Sequence, residues 1–213
     1  MVGFKIESKL DVGEYNVTVT NPLTGENKTA KITIVARLLE NNDLTKDYLS
    51  SKQFTVLAIG DDGNPVGAGE VVTLVTHGVT YKQKTDKTGH ATLLIRLVPG
   101  NYPITATYKG YTVKNNIKVN QTLKLVKKTV SVKKGKKIIL KATLKWTSGK
   151  AIKGKIIKFK FKGKTYKAKT NSKGLAKVTI KSKKVLKKLK KGKKYSYSAT
   201  YVKNKVKGKV KIK

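Results

Sequence analysis

The chain has 213 residues, no cysteine, and a formal net charge of +38 from 49 Lys and Arg against 11 Asp and Glu. The lack of cysteine excludes disulfides and thiol chemistry, and no apolar run reaches the roughly 18 residues of a membrane-spanning helix. Stability must therefore come from core packing, in one or two domains at this length.

The first predicted element is a partial repeat. The phrase LDVGEY at 10–15 is similar to LVPGNY at 97–102 and to LKKGKKY at 189–195. Residues 1–34 are therefore predicted to be the last three strands of a preceding repeat whose beginning is missing. The alternative is a three-stranded piece that packs on its neighbour or on a second chain to protect its edge.

Residues 35–119 are predicted to form one complete domain. Short apolar runs separated by Gly, Asn and Asp clusters predict about seven strands. These strands fall near 35–40, 53–59, 70–76, 79–85, 90–97, 102–108 and 111–119.

Residues 120–213 repeat this pattern. Residues 80–91 and 165–176 agree at seven of twelve positions at an offset of 85, whereas the phrase Ala-Thr-Tyr recurs at 106–108 and 199–201 with an offset of 93. The change of offset predicts an insertion in the second copy.

The insertion lies at about 182–191, where Val185, Leu186 and Leu189 have helical spacing. We expect these three side chains to cover one end of the domain. The alternative is a short helix on a membrane surface.

Both repeats alternate polar and apolar residues, as half-buried antiparallel strands do. Seven short strands in about 90 residues are typical of an immunoglobulin-like sandwich. The sequence therefore predicts an all-β chain of tandem immunoglobulin-like antiparallel β-sandwiches. The predicted domains are 1–34 (partial), 35–119 (near-neutral) and 120–213 (lysine-rich).

The phrase Leu-x-x-Gly-x-Tyr fits a tyrosine corner, in which a tyrosine near the start of the sixth strand hydrogen-bonds to the chain upstream. Tyr15, Tyr102 and Tyr195 are the candidates, the third with one extra residue in its phrase. Their predicted role is structural.

The pattern Asn-x-x-Gly-x-Ala-x-Val-x-Ile, followed by Leu-x-x-Gly-x-Tyr and Ala-Thr-Tyr, resembles the bacterial-type immunoglobulin-like (Big) repeats of surface adhesins. Residues 120–213 look most like the lysine-rich terminal repeats of adhesin-like proteins of methanogenic archaea, through the phrases at 164–174 and 193–201. The resemblance implies an extracellular adhesin or stalk at the cell surface or cell wall. Three Asn-x-Thr sequons, at Asn16, Asn27 and Asn120, are compatible with that location.

The charge is distributed very unevenly. Residues 1–119 hold 14 Lys and Arg and all 11 acids, a net of +3, whereas residues 120–213 hold 35 lysines and no acid. Both parts come from one gene, so codon bias cannot be the whole cause. Self-repulsion on this scale weakens a compact state, and an anionic partner would remove it.

The sequence predicts no enzyme, no cofactor and no metal site. His77 and His90 are the only histidines, neither has Cys or Glu at metal-ligand spacing, and no serine–histidine–acid arrangement is evident. Residues 120–213 cannot supply a carboxylate. The segment 61–64, Asp-Asp-Gly-Asn, lacks the full spacing of a calcium loop and is expected to be a turn.

The predicted function is binding of an anionic cell-wall or cell-surface polymer, for anchoring or adhesion to another cell. Residues 120–213 should present lysine over most of their surface rather than in one groove. The predicted polyanion-binding residues are Lys158, Lys160, Lys162, Lys164, Lys167, Lys169, Lys183, Lys184, Lys187, Lys188, Lys190 and Lys191.

Non-specific nucleic-acid binding is the alternative function. Against it, both arginines, Arg37 and Arg96, lie outside the basic domain, and arginine is the residue that reads bases bidentately and stacks on them. Lysine acts as a point charge, which suits diffuse neutralisation of an anionic polymer. The polymer, the target cell, the number of missing repeats and the oligomeric state stay open.

Overall fold

A computed structural model describes residues 10–213, and strands dominate it, which confirms the predicted all-β fold class. The elements are β1 Gly13–Thr20, β2 Asn27–Ile34, β3 Leu38–Leu39, β4 Leu44–Asp47, β5 Phe54–Ala58, β6 Val71–Thr76, β7 Val79–Lys84, β8 His90–Leu93, β9 Gly100–Tyr108, β10 Tyr111–Asn120, β11 Leu123–Leu125, β12 Thr129–Val132, β13 Ile138–Leu144, β14 Ile156–Phe161, β15 Lys164–Lys169, β16 Leu175–Ile180, α1 Lys183–Leu186, β17 Lys194–Tyr201 and β18 Asn204–Ile212.

One strand order occurs twice. The first sandwich has sheets β3-β5-β8 and β4-β10-β9-β6-β7, and the second has sheets β11-β13-β16 and β12-β18-β17-β14-β15. This repeated two-sheet order is that of tandem immunoglobulin-like sandwiches. In the second sandwich every strand pair is antiparallel except one, since β12 lies parallel to β18.

The strand predicted at 35–40 corresponds to the short strand β3, whereas β4, which belongs to the other sheet, was not predicted. Glu40, directly after β3, has a positive φ of 52°, and the Asn41 side chain donates to the Leu38 carbonyl at 2.9 Å. Both features interrupt the extended backbone where the predicted strand ends. The other six predicted strands correspond to β5–β10, although β8 ends at Leu93 rather than near residue 97.

The chain divides into two compact units. Unit 1 comprises the described part of Met1–Leu44 together with Gln53–Leu94 and Tyr102–Asn116, and unit 2 comprises Thr45–Lys52, Ile95–Asn101 and Ile117–Lys213. All eight strands of the second sandwich, which we call the basic sandwich, lie in unit 2. The domain boundaries drawn from the sequence stay predictions.

Residues 13–34 form a hairpin, in which β1 pairs with β2 from Gly13↔Ile34 to Thr20↔Asn27. These strands correspond to the last two of the three strands predicted for residues 1–34. The first of the three predicted strands falls on residues 1–9, outside the described residues. The assignment of this segment to a preceding repeat stays a prediction.

The core of the basic sandwich follows the predicted alternation. In β13 the side chains of Ile138, Leu140, Ala142 and Leu144 are fully buried, while Trp146, beyond the strand, is half-buried. In β14, Phe159 and Phe161 are buried, and Lys158 and Lys160, which alternate with them, are exposed. Side chains from both sheets therefore form one apolar core.

The insertion covers one end of this core. The single helical turn α1 and the residues after it bury Val185, Leu186 and Leu189, which belong to the core cluster. The expectation that these side chains cover the domain is confirmed. The membrane-surface alternative is wrong, because the apolar residues it would need outside are inside the protein.

A turn built from a threonine, an Asx residue and a glycine occurs in both sandwiches. The Thr85 hydroxyl donates to the Gly67 carbonyl at 2.7 Å, and the Thr170 hydroxyl donates to the Ile152 carbonyl at 2.8 Å. Gly89 and Gly174, each four residues after the threonine of its turn, both have positive φ. The internal sequence repeat is thus also a repeat of hydrogen bonding.

In the same turn, an Asx side chain accepts two backbone N–H groups. Asp86 Oδ1 accepts from Thr88 and His90 at 2.9 and 3.0 Å. Asn171 Oδ1 accepts from the second and fourth residues after it at 3.0 and 2.9 Å. Asp and Asn can therefore exchange between the copies, since each offers the acceptor oxygen.

We predict that Gly174→Ala destabilises the basic sandwich far more than Gly163→Ala. Both glycines have positive φ, of 71° and 77°, a conformation that costs a residue with a Cβ about 1–2 kcal/mol. A Cβ on Gly174 would lie 2.4 Å from the Leu144 carbonyl oxygen, whereas one on Gly163 meets nothing within 4 Å. The extra clash should add about 1–3 kcal/mol to the loss in unfolding free energy.

Trp146 is the only tryptophan and lies in unit 2, so its fluorescence during denaturation reports this transition. Equal losses for the two variants would contradict the steric argument.

Candidate polyanion-binding surface

The twelve lysines predicted to bind a polyanion are all exposed. They fall into two groups. Lys158 to Lys169 belong to the hairpin β14–β15, and Lys183 to Lys191 belong to α1 and the loop that follows it. Their role in binding stays a prediction.

The structure brings part of the first group together on the outer face of the five-stranded sheet. Residues directly opposite each other on paired strands share a face. Lys158 and Lys160 lie opposite Thr200 and Ser198 of β17, and Lys158 lies opposite Lys167 of β15. These side chains therefore project from one side of the sheet.

Lys169 lies opposite Ile156 on this outer face, but the other two predicted lysines of the hairpin are placed differently. Lys164 pairs with Phe161, whose side chain is buried, so Lys164 belongs to the opposite face at the sheet edge. Lys162 lies in the two-residue turn, where its Nζ is 4.9 Å from the centre of the Tyr195 ring in a cation–π contact.

Sequence reasoning missed the lysines of the last strand. Lys205 and Lys207 of β18 lie opposite Thr200 and Ser198 of β17. On the other side of β17, lysines of β14 lie opposite the same two residues. The alternation Lys-Val-Lys-Gly-Lys-Val-Lys-Ile-Lys at 205–213 placed lysines on the outside, but it contains nothing that says which strand lies beside β18. That information comes from the sheet order.

Gly208 is the residue that lets β18 lie flat against β17. A Cβ there would be 2.6 Å from Cε1 of Tyr197, directly opposite, and 2.7 Å from the Lys128 carbonyl oxygen. The buried Tyr197 hydroxyl donates to the Lys127 carbonyl at 2.7 Å, and burial raises the pKa of this phenol. A glycine is thus required for the tyrosine to reach its partner.

Like charges face one another across the strands of the basic sandwich. Lys158 lies opposite Lys167, Lys194 opposite Lys211, and Lys141 opposite Lys177. Such pairs destabilise a sheet. Since residues 120–213 contain no acid, no carboxylate side chain of this segment compensates them.

Asp47 is the single acidic residue in the ranges that make up unit 2. Its Oδ2 accepts the Thr147 N–H at 2.8 Å and the Thr147 hydroxyl at 3.1 Å. The carboxylate is therefore used to hold a turn and does not pair with a lysine.

One lysine of unit 2 is structural. Lys46 is buried, and its Nζ donates to the carbonyls of Lys52 and Ile95 at 2.8 and 2.9 Å. Burial, and secondarily the nearby charge of Arg96, lowers the pKa of Lys46. This side chain is not available to a ligand.

Tyr15 and Tyr195, two of the candidate tyrosine-corner residues, have local hydrogen bonds. The Tyr15 hydroxyl donates to the Asp11 carbonyl at 2.9 Å, and the Lys190 N–H donates to the Tyr195 hydroxyl at 2.8 Å. In both cases the partner is the backbone four or five residues upstream. The ring of Tyr102 meets that of His77 edge-on at 5.2 Å.

His90, in unit 1, lies between a hydroxyl and a carboxylate, which the sequence did not reveal. Its Nδ1 is 2.8 Å from the Thr88 hydroxyl and its Nε2 is 3.1 Å from Glu40 Oε2. The Thr88 hydroxyl donates its one proton to Asp86 Oδ1 at 2.7 Å, so the ring must donate to Thr88. This is the reverse of what a general base needs, and the contact is structural.

The segment 61–64 forms a turn. Asp61 pairs with Arg37 and, at 3.3 Å, with Lys109, and the hydrogen bonds from both cations lower the pKa of its carboxyl. Asp62 accepts the Asn64 N–H at 3.0 Å. Within residues 10–213, no three His, Cys, Asp or Glu side chains form a group that could hold a metal.

In the same described range, no helix has the length and apolar character needed to cross a membrane.

No protein-family model and no curated protein matches the chain. Among solved structures, it is similar to a chimeric titin Z1Z2–Z1Z2 tandem (18% identity, 84% of this chain and 97% of that chain, TM-score 0.33). It is also similar to a Ca²⁺-stabilised adhesin that helps an Antarctic bacterium bind ice (16% identity, 94% of this chain and 56% of that chain, TM-score 0.28). A third similar structure is the polymeric Ig receptor ectodomain of a teleost fish (12% identity, 80% of this chain and 95% of that chain, TM-score 0.32). At these identities and TM-scores, function must be inferred from the chain's own surface.

We predict that Lys177→Glu stabilises the basic sandwich at low salt, and that Lys177→Gln does so by a smaller amount. The first variant replaces a repulsive cross-strand pair with Lys141 by an attractive one, worth about 0.2–1 kcal/mol, whereas the second only removes the repulsion. Denaturation followed by Trp146 fluorescence measures both. In about 1 M salt the three proteins should converge, because screening acts within about 3 Å. Identical stabilities at low salt would show that the lysine pairs cost nothing.

Proposed function

We propose that this chain is a non-catalytic, adhesin-like repeat segment of a cell-surface protein, located outside the cell at the surface or the wall. The near-neutral sandwich serves as a spacer or display module. The basic sandwich binds an anionic polymer of a cell envelope, either to anchor the protein on its own wall or to adhere to another cell.

One observation carries this proposal. The basic sandwich folds around an ordinary apolar core while every charged side chain in residues 120–213 is a lysine. Repulsion among those lysines opposes folding, and an anionic partner would convert it into attraction. A solvated surface needs a few lysines on each edge but not the removal of every acid.

The sandwich architecture and the resemblance of the repeats to those of surface adhesins support the cellular setting. Tandem sandwiches extend a binding domain away from its attachment point. Fold alone does not define function, so the setting is tested separately from the binding chemistry.

We predict that the full chain binds immobilised acidic polysaccharide and that affinity falls steeply with salt. If about six lysines neutralise polymer charges, affinity should fall roughly a thousandfold between 50 and 200 mM salt on a polymer with the charge density of DNA. Surface plasmon resonance on heparin and on duplex DNA, with uncharged dextran as the control, measures this. Failure to bind either anionic surface would refute the proposal. Tighter binding to DNA at physiological salt would favour a nucleic-acid partner.

A further inference from the structure

A row of hydroxyl side chains runs along the outer face of β17 between two rows of lysine. Ser196, Ser198 and Thr200 face away from the core on β17, since Tyr197 and Ala199 between them are buried in it. Ser196 is exposed and Thr200 is half-buried, whereas Ser198 is only 7% exposed. Lys158 and Lys160 flank this row from β14. Resting on the proposed function, we infer that this surface, the β17 groove, binds one extended chain of an acidic polysaccharide.

The second row of lysines completes the groove. Lys205, Lys207 and Lys209 of β18 lie opposite Thr200, Ser198 and Ser196. Ser198 and Thr200, two of the three hydroxyl residues, therefore each have a lysine on both neighbouring strands. Because the hydroxyl side chains are short and the lysines long, the middle strand forms the floor.

The groove has the width of one polymer chain. Neighbouring strands lie about 4.8 Å apart, so the two lysine rows are separated by about 10 Å at the backbone, and lysines recur along each row about every 6.7 Å. A shallow cavity of about 250 Å³ lies here, and its lining includes Lys160, Ser198 and Lys207. A duplex would rest on both lysine rows, beyond reach of the hydroxyls between them.

The first sandwich offers an internal comparison. Its corresponding strand β9 also presents hydroxyls, at Thr105 and Thr107, which lie opposite Val75 and Thr73 of β6. The hydroxyl row is thus present in both sandwiches, but β14 has lysines where the corresponding strand β6 has a valine and a threonine. Hydroxyls alone are explained by strand preference, but lysines on both sides of them distinguish the basic sandwich.

The chemistry of the groove favours a sugar polymer over a nucleic acid. Lysine only donates hydrogen bonds, whereas serine and threonine hydroxyls donate and accept, as sugar hydroxyls require. The outward residues of β14, β17 and β18, strands that the structure describes completely, include no aromatic side chain. Single-stranded nucleic acids depend on such rings for base stacking.

The test compares two variants that each lose four charges. The groove variant carries Lys158→Gln, Lys160→Gln, Lys205→Gln and Lys207→Gln. The control carries Lys124→Gln, Lys141→Gln, Lys145→Gln and Lys177→Gln, four exposed lysines on or directly after strands of the other sheet, β11-β13-β16. Full-length proteins are used, and Trp146 fluorescence verifies that each variant is folded.

Binding is measured by calorimetric titration with heparin, which carries sulfates, and with polygalacturonate, which carries carboxylates. The affinity of the groove variant should fall by about tenfold or more, and that of the control by less than about threefold. The relative response to the two polymers identifies the anionic group. Equal losses in both variants would overturn the groove and leave diffuse attraction, so the proposed function would survive. If the wild-type chain binds neither polymer, the proposed function itself fails.

A floor variant separates sugar recognition from charge. Ser196→Ala with Thr200→Val removes the two more accessible hydroxyls of the row and no charge. Its affinity for heparin should fall at least about threefold, while its affinity for inorganic polyphosphate, which has no sugar hydroxyls, should stay unchanged. Unchanged heparin binding, or parallel losses for both polymers, would contradict a sugar chain in the groove. Tighter wild-type binding to oligo(dT) than to heparin would overturn the assigned ligand class.

Discussion

The basic sandwich depends on one balance, in which apolar burial on the inner side of each strand outweighs charge repulsion on the outer side. A fully buried Phe or Ile side chain is worth about 1.5–3 kcal/mol, whereas a facing pair of like charges costs about 0.2–1 kcal/mol. Phe159 and Phe161 on β14 therefore offset the repulsion of Lys158 and Lys160, which alternate with them. Alternation with a period of two lets one strand serve a dry core and a charged surface at once.

The two sandwiches keep the same internal framework and differ in surface. The Thr85 and Thr170 turns make equivalent hydrogen bonds, and Gly89 and Gly174 occupy equivalent positions close to backbone oxygens of a neighbouring strand. Conserved backbone contacts fix the sheet order, so outward positions can change without altering the fold. The two copies thus show what a common scaffold requires and what it leaves free.

The sequence revealed the strands more fully than the surface they build. Period-two patterns located β13 and β14, and the apolar triplet at 185–189 identified the covered end of the core, because both signals are local. The strand β4 was missed, since it has only four residues and follows Glu40, whose positive φ leaves no clear pattern in the sequence. The grouping of Lys158 with Lys205 could not be inferred, because it depends on β17 lying between strands that are distant in sequence. The sequence analysis therefore expected a diffuse lysine coat, whereas the sheet places a defined subset around a hydroxyl row.

The edge strand β15 gives the lysines a second consequence. An open edge presents unpaired N–H and C=O groups, and a neighbouring copy could add a strand there. Lys167 and Lys169 are exposed on this edge, beside Lys158 and Ile156 of β14. Two such edges repel each other, so copies crowded side by side resist β-aggregation. Under the proposed function, polymer that neutralises the charge would weaken that protection, and a dense coating would turn separate molecules into a cohesive layer.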